Sequence, residues 1–218
     1  MAPPDLDFRI ESVAPVPFAA TPLLGFRIAV TNGKPDQAIY SVALRAQIQI
    51  EVMRRPYSAE DQERLRDLFD APERWGQTLR NMLWTNAVTT VASFNGSTTV
   101  ELQVPCTFDF NIAATKYFHG IESGEIPLCF LFSGTVFYGG GDGTPLVAPI
   151  SWSKEARFRL PAGTWREMME TYYPNIAWLC LRRDVFERLH QFKIRNGIPT
   201  WEAALERMLS ACEEAVVS

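Results

Sequence analysis

Val100-Glu101-Leu102-Gln103-Val104-Pro105-Cys106-Thr107-Phe108-Asp109-Phe110-Asn111-Ile112 alternates apolar and polar residues at almost every step. Successive side chains of a strand point to opposite faces, so Val100, Leu102, Val104, Cys106, Phe108, Phe110 and Ile112 line one face. Glu101, Gln103, Thr107, Asp109 and Asn111 line the other. Such a run predicts a sheet with one greasy and one wet side. It specifies architecture and carries no reaction chemistry.

Working outward, Asn95-Gly96 precedes this run and residues 86–94 come before it, which predicts a hairpin of 86–94 with 97–112. Shorter strands are expected at 8–13 and 25–31, with Asn32-Gly33 and Lys34-Pro35-Asp36 as turn signals. Residues 39–53 alternate through Val42, Leu44, Ala46, Ile48, Ile50 and Val52. Thirteen residues from Tyr40 would span roughly 43 Å, so a bend or bulge is expected there. Residues 126–138 are apolar on nearly both faces and predict a central strand covered from both sides. Residues 146–160 read as a last strand, with Leu146, Ala148, Ile150, Trp152, Ala156, Phe158 and Leu160 in phase.

Helical periodicity appears in two places. In 58–84, Ser58 is a good N-cap with Glu60 and Asp61 in the first turn, and Trp75, Leu79, Met82 and Leu83 form a stripe. After residue 163 the period changes for good. A short helix is expected over 164–173, a longer one from Ile176 to Arg195 capped by Asn175 and stopped at Asn196-Gly197, and a final one from Trp201. The apolar first turns of the long helix predict deep burial. In the final helix Trp201, Leu205, Met208, Leu209 and Cys212 are expected to face inward.

Strands first and helices afterwards argue an α+β fold. The expectation is an antiparallel sheet of about seven strands, with a sandwich as the alternative. A β domain would span 1–163 with its helical insert, and a helical segment 164–218 would pack on it as one structural unit.

Composition bounds the function classes. The chain has 218 residues, 47% hydrophobic and 21% charged, which is ordinary for a globular protein. Its net charge of −4 and lack of a basic block argue against nucleic acid. The start, Met1-Ala2-Pro3-Pro4-Asp5, has no signal-peptide character, and no apolar run reaches membrane-helix length, so a cytoplasmic protein without membrane insertion is expected. Four scattered cysteines, Cys106, Cys129, Cys180 and Cys212, read as small hydrophobes rather than metal ligands. No cofactor or metal is expected. The glycine run 139–144 lacks a phosphate-loop ending and precedes a strand, so it reads as a hairpin loop.

No catalytic residue is assigned. His119, expected in a loop between strands, could serve an unrecognised enzyme only beside Cys106, Cys129 or Glu122. His190 reads as a surface side chain. Two features fit recognition better. One is the proline-punctuated apolar segment 14–24 with Phe18, Leu23 and Leu24, which either packs on its own sheet or offers a docking edge. The other is Tyr172-Tyr173-Pro174 at a helix junction, inside an aromatic-rich C-terminal region. Phe18, Leu23, Leu24, Tyr172 and Tyr173 are therefore the candidate protein-binding residues.

Tyr173-Pro174-Asn175-Ile176-Ala177-Trp178-Leu179, continued by Arg183-Asp184-Val185-Phe186 and Gly197-Ile198-Pro199-Thr200-Trp201, resembles a bacterial family with no assigned function, domain of unknown function family 6084. Phe8-Arg9-Ile10 and Phe26-Arg27-Ile28 extend the resemblance over nearly the whole chain. The family implies no catalytic residues. Its association with gene clusters of actinobacterial-type nickel–iron hydrogenases implies an accessory or assembly role. A weaker similarity is to the export chaperone SecB, echoed by Phe8, Ile10, Pro174, Asn175, Ile176, Arg183 and Asp184, and it implies a SecB-like sheet whose apolar grooves hold another chain. The insert at 58–84 and the modest net charge depart from that chaperone family. The combined expectation is a non-catalytic protein-binding or assembly protein. Its partner would be a hydrogenase subunit or, for a holdase, an unfolded client, and the sequence leaves a homo-oligomer open.

Overall fold

In the computed structural model, which describes residues 2–140 and 143–217 (214–217 for the backbone only), the strands fall into two antiparallel sheets. They are β1 (Leu6–Pro15), β2 (Leu23–Asn32), β3 (Ile39–Ile50), β4 (Met82–Val91), β5 (Ser97–Pro105), β6 (Glu125–Gly139), β7 (Pro145–Pro149) and β8 (Glu155–Pro161). One sheet has the order β1-β2-β5; the other runs β4-β3-β6-β7, with β8 also on β6. Helices α1 (Ala59–Arg64), α2 (Arg66–Phe69) and α3 (Trp75–Thr78) form the insert between β3 and β4. Helix α4 (Ile112–Gly120) follows β5, and α5 (Ala162–Tyr172), α6 (Arg183–Arg195) and α7 (Trp201–Val217) close the chain. This is the expected α+β class with a helical insert. The chain divides into two compact units, Met1–Ile176 and Ala177–Ser218, so α5 belongs with the sheets.

Alternation explains the core of the first unit. Phe8 and Ile10, Phe26 and Ile28, and Leu102 and Val104 bury one face of the first sheet. Leu44, Ile48, Leu128, Phe130 and Phe132 do the same for the second. Phe26 sits at the centre, edge-on to Phe130 at 5.2 Å, and Phe8 stacks on Phe132 at 4.4 Å. Burying a side chain such as Phe26 contributes about 1.5–3 kcal/mol. The bend expected in 39–53 appears as register shifts in β3, between Ile39 and Ser41 against β6 and between Ile48 and Gln49 against β4. Strand β6 is central as expected, but its second face is covered only in part, with Cys129 buried near its start. Its outer side leaves Phe137 exposed and Leu131 half-buried.

Several local expectations are corrected. The 86–94 and 97–112 runs do not pair. Strand β4 joins β3 and β5 joins β2, so the Asn95-Gly96 turn crosses between sheets. Its backbone is spent on that crossing: Phe94 bridges Ile39, and the Gly96 carbonyl accepts from the Asn32 N–H at 2.7 Å. The run 97–112 leaves the sheet at Pro105, because Asn111 caps α4 by accepting from the Ala114 N–H. Residues 146–160 are two strands separated by a turn in which Trp152 is exposed. Met82 and Leu83 begin β4 rather than ending a helix.

A long strand that changes partner needs a joint. Residues Glu125–Leu131 of β6 pair with β8, and Thr135–Gly139 pair with β7. Gly134 lies between them at φ 139°. A Cβ there would meet the Ala43 carbonyl oxygen of β3 at 2.0 Å. Two of the six residues in the glycine run 139–144, Gly141 and Asp142, lie outside the described residues. On either side of them the Gly140 N–H bonds the Thr144 carbonyl, joining antiparallel β6 and β7.

The insert is tied down by a buried charge. Arg55 pairs with Asp61 at 3.2 Å and donates to the carbonyls of Glu125 (2.7 Å) and Ser123 (2.8 Å). Asp61 also closes the capping box with Ser58 and pairs with Arg64 at 3.4 Å. Deeper in, the hydroxyls of Tyr57 and Tyr117 lie 2.9 Å apart. Tyr57 gives its only proton to the Val52 carbonyl, so Tyr117 is the donor in that pair.

The second unit is a pair of helices, and its start is another correction. Asn175 has φ 55°, a left-handed turn after α5, so it ends one helix instead of capping the next. Residues 176–182 are irregular, and Ile176, Trp178 and Leu179 are exposed. The stop signal works as read: Gly197 has φ 64° and the Ile198 N–H reaches back to the Lys193 carbonyl. Within the pair Leu189 and Ala204 are buried, whereas Leu205, Met208, Leu209 and Cys212 of α7 are exposed. His190 stacks on Phe186 and lies 5.8 Å from the Trp201 ring.

Candidate functional site

Four of the five candidate residues meet at one end of the first unit. The β1–β2 connection, residues 16–22, is closed by the Val16 N–H on the Leu23 carbonyl at 2.9 Å. Only the two ends of the proline-punctuated segment pair within their own sheet, with Pro15 opposite Leu24 and Leu23 opposite Pro105. Leu23 is half-buried and Leu24 is in the core, so Leu24 presents nothing to a partner. Phe18 is the opposite case. It is fully exposed and its φ of 57° is left-handed. A bulky residue in that region costs about 1–2 kcal/mol. The turn is held from outside by Tyr172, whose hydroxyl donates to the Ala19 carbonyl at 2.9 Å.

Tyr173 faces a different feature, a cavity of about 200 Å³ between α4, α5 and the β5–α4 connection. Its aromatic wall comprises Phe108, His119, Trp165 and Tyr173. Phe108 stacks on His119 at 5.6 Å and leans on Tyr173 at 4.7 Å. Trp165 stands edge-on to His119 at 5.0 Å. Met169 and Ile176 add apolar surface, and Arg166 and Glu170 supply one charge of each sign. Arg166 donates to the Ile121 carbonyl at 2.8 Å, and Glu170 accepts from the Asn175 N–H at 3.3 Å. These two are spaced i,i+4, yet no ion pair joins them among the described residues.

His119 thus lies on a helix, not in the expected loop. Among the described residues no hydrogen bond joins it to Cys106, Cys129 or Glu122. Glu122 pairs with Arg64 at 2.9 Å. Burial pushes the Cys106 thiol up to about 12, and its Sγ donates to the Val104 carbonyl. Burial, then the carboxylates of Glu155 and Glu51, raise Cys129 as well. Neither is a thiolate near neutral pH. Partial burial, then the Arg166 charge, lower His119 from 6.5. Protons therefore prefer the unfolded chain, and the stability this group contributes is full above pH 6.5 and falls on acidification. The melting temperature should drop between about pH 7.5 and about pH 5.5, and His119→Gln should flatten that slope. An unchanged slope in His119→Gln would show that the drop has another source.

The sequence pointed to Phe18, Tyr172 and Tyr173 but not to Phe108, Trp165, Arg166 or Glu170. Their meeting depends on α4 replacing the end of a supposed strand. The signal for that was Asn111 before an Ile-Ala-Ala-Thr-Lys run of helix-compatible residues. Among the described residues no group of three or more His, Cys, Asp or Glu could hold a metal ion. No helix among them is long and apolar enough to cross a membrane.

No curated protein matches the chain. Among solved structures it is similar to IrmA from Escherichia coli, at 10% identity and a TM-score of 0.32, covering 83% of this chain and 99% of that one. It is also similar to a protein described as ApaA from Bordetella pertussis, at 13% identity and a TM-score of 0.28, covering 72% and 94%. Likenesses of this size carry no argument about fold or activity. The family model is a different matter, because it spans the strands, the insert and both units: over residues 3–217 the chain matches, and belongs to, the family of unknown function DUF6084.

Proposed function

We propose that this is a non-catalytic binding or assembly protein of the cytoplasm that docks a folded partner on the turn carrying Phe18, beside Tyr172. The observation behind this reading is Phe18 itself. A phenyl ring held wholly in solvent, on a left-handed backbone braced by Tyr172, destabilises the fold and packs nothing. Such a feature is what a hot-spot anchor requires. The hydrogenase association implied by the family resemblance directs the search to subunits of a nickel–iron hydrogenase.

Phe18→Gly tests the reading, because it removes the ring and suits the backbone. The variant should be more stable by about 0.5–1 kcal/mol. Tagged wild-type protein should capture one stoichiometric partner from its native cytosol, and the variant should lose it. Equal capture by both proteins would sink the Phe18 site. A second reading, a SecB-like holdase, draws on the exposed Trp178, Leu179, Phe186 and Leu209 of the helical unit. Many substoichiometric unfolded clients, held equally by both proteins, would favour it.

A further inference from the structure

We infer that the cavity walled by Phe108, His119, Trp165 and Tyr173 is a binding site for a small carboxylate with a flat apolar body, such as an arylacetate. Its size suits one substituted ring: an apolar cavity of ~150 Å³ already admits benzene, and this one measures about 200 Å³. The walls offer ring faces and edges, which favour a planar guest.

The polar groups decide the charge. Trp165 is 3% exposed, and its indole N–H meets no protein acceptor among the described residues. Arg166 bonds a single backbone carbonyl and pairs with no carboxylate among the described residues. His119 contributes one ring N–H and has only ring contacts. Donors therefore outnumber acceptors, and Arg166 has no direct ion pair among the described residues, although Glu170 balances its charge across the cavity. The one carboxylate, Glu170, accepts from the Asn175 N–H through one oxygen and keeps its charge. A guest carboxylate would take charge-assisted hydrogen bonds from Arg166 and its neighbours, with Glu170 opposing it. This site does not depend on the docking role of Phe18, which lies on the separate β1–β2 turn.

The test uses the full chain and fluorine NMR titrations of 4-fluorophenylacetate, 4-fluorobenzyl alcohol and 4-fluorobenzylamine. The carboxylate should bind, and the alcohol and amine at least tenfold more weakly, the range expected for one charged hydrogen bond. Arg166→Met should weaken the carboxylate about tenfold or more, and Glu170→Gln should tighten it. Both residues are exposed; Arg166→Met gives up the bond to the Ile121 carbonyl, so its melting temperature is measured alongside, and weakened carboxylate binding counts only in protein still folded at the titration temperature. Preference for the amine, equal binding of all three probes, no binding of the carboxylate, or insensitivity to Arg166→Met would each overturn the assignment.

Discussion

Gly134→Ala should be the most destabilising single substitution in the first unit. The new methyl would lie 2.0 Å from the Ala43 carbonyl oxygen, a backbone atom of the adjacent strand that cannot move aside alone. The φ of 139° is a second obstacle, since residues with a Cβ rarely adopt it. Together they should cost more than about 4 kcal/mol, against a total stability of about 5–15 kcal/mol. For a chain of this size that is a fall in melting temperature of about 10 °C or more. Gly163→Ala is the control. A Cβ at that helical position meets nothing within 4 Å, so it should stabilise slightly. If thermal unfolding places Gly134→Ala within 2 °C or so of wild type, the joint in β6 is not where the two partner strands are reconciled.

Asp61→Ala should be the next most damaging change. It strands Arg55, whose side chain is 9% exposed, and opens the capping box of α1. Removing one partner of a buried pair costs about 3–5 kcal/mol. Arg55 keeps its two carbonyl acceptors, so about 3 kcal/mol is expected. Urea unfolding should show a lower midpoint with an unchanged slope. The double change Arg55→Met with Asp61→Ala should recover much of the loss, because no charge is then left buried. Failure of the double variant to recover any of it would mean that Asp61 acts through the cap instead.

Alternation is a local property, and it made β1, β2, β3 and the first part of β5 legible from the sequence. Which strand pairs with which is not local. Asn95-Gly96 announces a turn, but a turn between two sheets has the same residues as a hairpin within one. Period two also ran on past Pro105 by coincidence, where Cys106 and Phe108 stay buried while the chain leaves the sheet. Asn175 misled for a related reason: a residue that caps a helix start also tolerates the left-handed stop. At the candidate site, Phe18 and the tyrosine pair could be read as surface aromatics. The cavity could not, because its walls come from residues more than fifty positions apart, and Arg166 and Glu170 look from their spacing like a mutual ion pair.

The placement of the sheet margins limits how any partner can join this protein. Strand β1 runs beside β8, fastened by the Lys154–Asp5 ion pair at 2.8 Å, and β5 runs beside β4, where the Thr89 hydroxyl donates to the Glu101 carbonyl. That leaves β7, five residues with proline at each end. Proline has no N–H to donate, so a visiting strand finds no continuous ladder to extend. Among the described residues, recruitment by strand addition to the first unit is therefore disfavoured, and so is the runaway stacking that open sheets invite. A partner has to recognise side chains.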